Sequence, residues 1–100
     1  MIFVVHRIDA PGKSAERTRL RAAHIDYLKA FEDRILAAGP YCDPETGEDR
    51  GSMFLIECDT LAQARAFAQD DPFTGAGIFS DLQVWEWTRR MGSLAFSPKG

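Results

Sequence analysis

The chain has few of the residues from which metal centres and covalent catalytic sites are built. It contains only 2 histidines and 2 cysteines in 100 residues, and neither type occurs at a spacing typical of metal ligands. We interpret Cys42 and Cys58 as reduced thiols, which favours a cytoplasmic protein. No motif of a catalytic serine or cysteine is present, and no cofactor motif is present. The sequence therefore predicts neither a metal nor another cofactor.

Long apolar runs and an excess of one charge are also missing. No apolar segment approaches the ~18 residues of a membrane span, and the opening Met1–Val5 lacks a basic leader and resembles a strand. The net charge is −3 with both signs interspersed, so nucleic acid is not an expected partner. A hydrophobic share of 45% and a charged share of 27% are typical of one globular domain.

Strand-like and helix-like segments alternate in the order β-α-β-β-α-β. β-branched and aromatic runs indicate strands, and a rhythm of 3.6 residues indicates helices. This order predicts the ferredoxin-like α+β fold with a four-stranded antiparallel sheet. The predicted strands cover about residues 2–8, 39–43, 51–58 and 78–89, and the predicted helices run from about 14 to 37, ending before Gly39-Pro40, and from 61 to 69, with Leu61, Ala64, Phe67 and Ala68 facing inward.

The predicted strands are apolar on both faces. In the first strand, Ile2 and Val4 alternate with Phe3 and Val5, whereas a sheet covered on one side should alternate apolar and polar residues. A bare second face would be an apolar patch that soluble monomers rarely expose. We therefore expect a homodimer with two sheets face to face, a dimeric α/β barrel, with larger assemblies left open. The alternative is that the C-terminal tail covers this face.

One histidine lies on the apolar stripe of the first predicted helix. His24 lies four residues after Leu20 and four residues before Leu28. An ionisable ring in such a place needs a polar partner. Asp71, held beside Pro72, is the candidate. If the two meet, the carboxylate fixes the ring tautomer and the other ring nitrogen can act as a general base. The alternative for His24 is a purely structural role in the core, and the alternative for Asp71 is that it only ends a helix.

Three further residues are candidate substrate contacts. Arg21 is a helical neighbour of His24 and can hold an anionic carboxylate, unless it is an ordinary surface arginine. Ser52 lies at the start of the third predicted strand. If it does not contact a substrate, it is a strand residue whose hydroxyl has no functional role. Phe73 precedes a link of small residues, 75–77, that lets a ligand or the neighbouring helix approach. For His6, on the first strand, a structural role is favoured.

Two short motifs together carry a resemblance to the YciI-like (YCII-related) family over about residues 1–91. They are Arg-x-x-His, at Arg21 to His24, and Asp-Pro-Phe, at Asp71 to Phe73. The resemblance implies a dimeric α/β barrel related to muconolactone isomerases and a chloromuconolactone dehalogenase, with a His–Asp site that corresponds to His24 and Asp71. Residues 92–100 form a C-terminal tail outside it. The other segments that carry the resemblance are Met1–Val5, Tyr27-Leu28, Ala38-Gly39-Pro40, Gly51-Ser52, Ala62–Ala68 and Ala76-Gly77-Ile78-Phe79.

The hypothesis from the sequence is a small cofactor-independent enzyme. His24 acts as the base and Asp71 orients it, and the substrate is a small anionic organic molecule that undergoes proton abstraction, isomerisation or elimination. The alternative is a non-catalytic dimeric module that binds a small molecule or serves a larger assembly. Haem or flavin use, as in monooxygenases that share this barrel, is disfavoured because no cofactor motif is present.

Overall fold

Four strands form one antiparallel sheet in the computed structural model, which describes residues 1–93. The strand order is β2-β3-β1-β4, and each neighbouring pair is antiparallel. The ferredoxin-like α+β fold is thereby confirmed. Most of the predicted tail, residues 92–100, lies outside the described residues. In chain order the elements are β1 (Ile2–Asp9), α1 (Ser14–Lys29), β2 (Ile35–Cys42), β3 (Asp49–Glu57), α2 (Leu61–Asp70), the short α3 (Pro72–Gly75) and β4 (Phe79–Trp87).

The core lies between one face of the sheet and the helices. Phe3 and Val5 of β1 are buried there, opposite Ile56 and Phe54 of β3. Phe67 of α2 packs edge-on against Phe54 at a ring-centre distance of 5.4 Å. Burial of these apolar side chains is the main stabilising contribution to the fold. The core cluster consists of Phe3, Val5, Phe54, Ile56, Cys58, Ala64, Phe67 and Ala68.

The second face of the sheet is apolar in the half around Val4, as the sequence predicted, and polar in the half around His6. Val4 lies between Leu55 of β3 and Trp85 of β4, and Trp85 is 62% exposed. Trp87, opposite Ile2, shares this face with Trp85. We call this side, away from the helices, the open face.

His6 lies on the open face among polar side chains. Its Nδ1 is 2.8 Å from the hydroxyl oxygen of Tyr41, and its Nε2 is 3.6 Å from a carboxylate oxygen of Asp81. His6 is therefore not a neighbour of His24, which belongs to the helical side of the sheet.

The first helix is shorter than predicted. It ends at Lys29 instead of about Ala37, and Gly39-Pro40 lie inside β2 instead of ending the helix. After Lys29 the amides of Ala30 and Phe31 donate to carbonyls three residues back, which tightens the backbone into a turn. Within residues 1–93 no helix is long and apolar enough to cross a membrane.

The rhythm of apolar residues could not show this ending. Phe31 packs against the core from the turn and Ile35 from β2, so both reach the interior without being helical. Pro40 is accommodated because β2 is an edge strand, where a missing N–H is tolerated.

The boundaries around α2 and β4 also differ in detail. Leu61 is 36% exposed instead of facing inward, and the buried stripe of α2 begins at Ala64. Between Asp71 and the predicted link of small residues lies the helical turn α3, which overlaps the link at Gly75. Ile78 is fully buried before the strand begins at Phe79, so burial rather than strand pairing explains its apolar side chain.

The aromatic cluster around Phe67 predicts a large effect on stability. We expect Phe67→Ala to lower the free energy of unfolding by about 3–5 kcal/mol, because it leaves a cavity beside Tyr27, Phe31 and Phe54. Urea denaturation measures this difference. The control is Leu36→Ala, since Leu36 is 38% exposed; an equal loss for the two variants would contradict the packing described here.

Candidate active site

His24 and Asp71 meet on the helical side of the sheet. The Nδ1 atom of His24, on α1, lies 2.9 Å from Oδ1 of Asp71. Asp71 has an extended backbone between α2 and α3, which Pro72 enforces because a residue before proline avoids the helical conformation. The same Oδ1 accepts a hydrogen bond from the Phe73 amide at 2.9 Å. The Asp-Pro-Phe turn therefore holds the carboxylate in one orientation toward the ring.

A third residue, Arg7 of β1, completes the arrangement. Its Nη1 donates to Oδ2 of Asp71 at 2.8 Å, and its Nε donates to the hydroxyl oxygen of Ser52 at 3.0 Å. The side chains of Arg7 and Asp71 are each 1% exposed. Within residues 1–93, Nη2 of Arg7 has no hydrogen-bond partner.

The sequence analysis missed Arg7, although the signal was present. Phe3, Val5 and Arg7 alternate along β1 and face the helices together. An arginine on the core face of a strand needs a buried acceptor. The alternation predicted for β1 could therefore have identified Arg7 as a buried cation that needs an acceptor.

The contacts keep the Asp71 carboxylate ionised. Burial alone would raise its pKa, but hydrogen bonds from His24 and Arg7 together with the charge of Arg7 outweigh burial, and the pKa of Asp71 lies below its ordinary value. Burial lowers the pKa of Arg7, which the contact with Asp71 counteracts, and a guanidinium stays protonated at neutral pH. An ionised carboxylate only accepts hydrogen bonds, so Nδ1 of His24 must donate. The proton of a neutral His24 ring is thus on Nδ1, and the lone pair is on Nε2.

Phe73 packs directly on the histidine ring. The two rings are stacked with centres 4.0 Å apart and planes at 10°. The guanidinium carbon of Arg17 lies 4.9 Å from the centre of the same Phe73 ring, and Asp9 holds Arg17 through contacts of 2.6 and 3.2 Å. The His24 ring is therefore fixed by stacking as well as by its hydrogen bond, and its side chain is 14% exposed.

An open groove of about 650 Å³ adjoins Phe73. Its walls are the loop after β1, the first half of α1 and the hairpin between β2 and β3, and Phe73 and Arg21 are among its lining residues. His24, Asp71 and Ser52 are not. Phe73 is therefore the side chain that connects the groove with the His–Asp pair.

The charges of the groove leave two cations uncommitted. Arg17 is paired with Asp9, and Arg50 with Asp43 and Glu48. Lys13 and Arg21, in contrast, form no salt bridge with any residue of the described part of the chain. Asp49 also lines the groove and forms no salt bridge with the described residues, so four cations face three carboxylates and the excess positive charge is small.

The predicted substrate contacts occupy different places. Arg21 is exposed at the groove, and Phe73 is buried but lines it. Ser52 is buried on the helical side of the sheet, where its hydroxyl accepts from Arg7. Its position is behind the His–Asp pair and not in the groove.

Comparison with known proteins agrees with the resemblance found in the sequence. Residues 1–88 match the YCII-related domain. The chain belongs to the YCII-related family. It is 31% identical over 91 residues to Protein YciI of Escherichia coli, covering 84% of this chain and 93% of that protein. An uncharacterized protein of Haemophilus influenzae is 30% identical over the same coverage.

A solved structure is similar as well. It is 5-chloro-2-hydroxyhydroquinone dehydrochlorinase (TftG) from Burkholderia phenoliruptrix, in complex with 2,5-dihydroxybenzoquinone. The TM-score is 0.84 at 33% sequence identity, and the match covers 90% of this chain and 96% of that one. The similarity thus extends over nearly the whole fold described above.

The lowered pKa of Asp71 predicts a loss of stability in acid. The pKa of Asp71 in the folded state is below the unfolded value of about 3.9. As the pH falls, the unfolded chain therefore binds a proton at this residue before the folded chain does. The stability that Asp71 contributes is lost progressively until the pH has fallen below the folded-state pKa. We expect Asp71→Asn to be less stable at pH 7 and to lose less stability than the wild type below about pH 4. Urea denaturation across this range measures both.

The matched control for this prediction is Asp33→Asn, at an exposed turn position. It should retain the acid-dependent loss of the wild type. Equal losses for the wild type and Asp71→Asn would contradict the ionised, hydrogen-bonded state of Asp71.

Proposed function

We propose that this protein is a cofactor-independent enzyme in which Nε2 of His24 takes a proton from a small anionic organic substrate. The observation that carries this proposal is the hydrogen bond between Nδ1 of His24 and the buried carboxylate of Asp71. It places the ring proton on Nδ1 and leaves the lone pair of Nε2 without a partner among residues 1–93. This arrangement is that of a general base oriented by a carboxylate.

The chemistry follows from the charge change on the ring. When Nε2 accepts a proton, the resulting imidazolium lies against the Asp71 carboxylate, which stabilises the new charge. In an elimination, the electron pair of the bond to the abstracted hydrogen forms a π bond. The leaving group departs with the electron pair of the bond that joined it to carbon. In an isomerisation, the proton returns to a different atom of the substrate. The same base serves both reactions.

The groove and the structural relative support a substrate class. TftG is named for a chlorinated hydroxyhydroquinone and binds a dihydroxybenzoquinone, and both are small, planar molecules with acidic hydroxyl groups. For this chain we propose a hydroxylated aromatic or quinoid acid. Its anion would be attracted by Lys13 and Arg21, and Phe73 provides an apolar surface beside His24.

The test of this proposal is His24→Gln with 5-chloro-2-hydroxyhydroquinone as the first substrate. We expect kcat/KM to fall about 10²–10⁴-fold, the contribution of a general base, when chloride release and the ultraviolet spectrum are followed. The matched control is His6→Gln, which changes the other histidine. His6 lies on the open face, away from the candidate site, so this variant should retain activity. A folded His24→Gln protein with full activity would overturn the proposal.

A second candidate function is binding without turnover. It is favoured by the lining of the groove, which includes Phe73 but not His24. Incubation with the same compound followed by mass spectrometry distinguishes the two functions, because a binding module returns the ligand unchanged.

We also propose that a second copy of the chain covers the open face. The exposed Trp85 is paired with Val4 and shares this face with Ile2 and Trp87, and a second sheet of the same shape would remove this surface from water. Such a homodimer is the arrangement that the sequence predicts.

The open face predicts the effect of one substitution on assembly. We expect Trp85→Glu to shift the protein from dimer to monomer in analytical ultracentrifugation, because a carboxylate would be buried against apolar side chains. Met91→Glu is the control, since Met91 is 91% exposed and follows the last strand. A monomeric wild-type protein, or a dimer unaffected by Trp85→Glu, would contradict this proposal.

A further inference from the structure

The Asp71 carboxylate binds two cationic or potentially cationic groups with its two oxygens. Oδ2 accepts from Arg7 at 2.8 Å, and Oδ1 faces His24 at 2.9 Å. Arg7 approaches from the sheet and His24 from α1. The two side chains therefore share one negative charge from different elements of the fold.

Stability alone does not account for the charge of Arg7. Buried ion pairs are often replaced by apolar residues without loss of stability, and here one guanidinium nitrogen has no partner within residues 1–93. The guanidinium carbon lies between two aromatic rings, 4.8 Å from the centre of Phe54 and 4.4 Å from that of Phe79. The fold thus holds a permanent cation rigidly beside the carboxylate that orients the base.

We propose that Arg7 is a positioning residue that keeps His24 uncharged and available as a base, because its positive charge compensates the negative charge of the Asp71 carboxylate from the buried side. This inference rests on the proposed function of His24. Without Arg7, the buried carboxylate would have His24 as its single cationic partner, and the nearby opposite charge would favour the imidazolium. A ring that is already protonated cannot accept a proton from a substrate.

The other charged groups around the ring do not replace Arg7. The contact between Arg17 and Asp9 commits both of those side chains to each other. Arg21 is exposed at the groove, and Asp70 is exposed and lines a different cavity beside Tyr27. Burial raises the pKa of Tyr27 to about 12, so its hydroxyl stays neutral. The other charged or titratable groups on β1, α1 and α2 are directed elsewhere: His6 lies on the open face, Glu16 is paired with Arg19, and Asp26, Lys29 and Arg65 are exposed.

The experiment reads the His24 ring directly. The chain has 2 histidines, so His6→Gln leaves His24 as the one histidine in the proton and nitrogen NMR spectra. In this background, Arg7→Met removes the cation, Arg7→Lys keeps a positive charge, and Ser52→Ala removes the neutral partner of Arg7. We expect the titration midpoint of His24 to move to higher pH in Arg7→Met and to change little in Arg7→Lys and Ser52→Ala.

Arg7→Gln provides a second neutral variant if Arg7→Met does not fold. Its amide can still donate to Asp71 but carries no charge, so the midpoint of His24 should again move upward. An unchanged midpoint in a folded neutral variant, or equal changes in the neutral variants and Arg7→Lys, would overturn the role of Arg7.

The activity measurement separates this inference from the proposed function. In the neutral variants, kcat/KM at neutral pH should fall about tenfold for each pH unit by which the midpoint comes to lie above the assay pH, and it should recover at higher pH. If His24 has the same midpoint in these variants as in the protein that keeps Arg7, and His24→Gln is inactive, the role of Arg7 is rejected and the proposed function stands. An active His24→Gln protein with shifted midpoints in the neutral Arg7 variants would reject the catalytic base and leave the electrostatic effect of Arg7 in place.

Discussion

The ionised carboxylate of Asp71 is the constraint on which the candidate site depends. It is nearly inaccessible to water, with its side chain 1% exposed, and it stays charged because His24, Arg7 and the Phe73 amide donate to it. A buried charge with fewer partners would be costly. The carboxylate in turn determines which nitrogen of His24 carries the proton. The positions of β1, α1 and the Asp-Pro-Phe turn are thus coupled through one side chain.

Residues distant in sequence reach this carboxylate because of the sheet topology. β1 is a central strand between β3 and β4, so Arg7 and Ser52 lie opposite each other in the β1–β3 pair. The turn before α3 brings Asp71 onto the same side of the sheet. The groove lies beside this cluster and is lined by Lys13 and Arg21. In the function proposed above, recognition and proton transfer would therefore fall to adjacent but distinct residues.

Much of this arrangement could be predicted from the sequence, and the failures have physical causes. The contact between His24 and Asp71 could be anticipated because an ionisable ring on an apolar stripe and a rigid aspartate each need explanation. The end of α1 could not, since Phe31 and Ile35 continue the helical rhythm while lying in a turn and a strand. Arg7 was missed because the strand was interpreted only for its apolar residues. The groove was beyond reach, because its walls combine three separate segments whose spacing depends on tertiary packing.

Pro40 in β2 has a consequence for how copies of this chain can associate. A sheet can grow sideways when its outermost strand offers free N–H and C=O groups to another strand. Proline has no N–H and is a common obstacle to such growth at a sheet margin. Lateral addition of strands, the route to fibrous aggregates, is therefore disfavoured along this margin, and a layered contact between sheets meets no such obstacle.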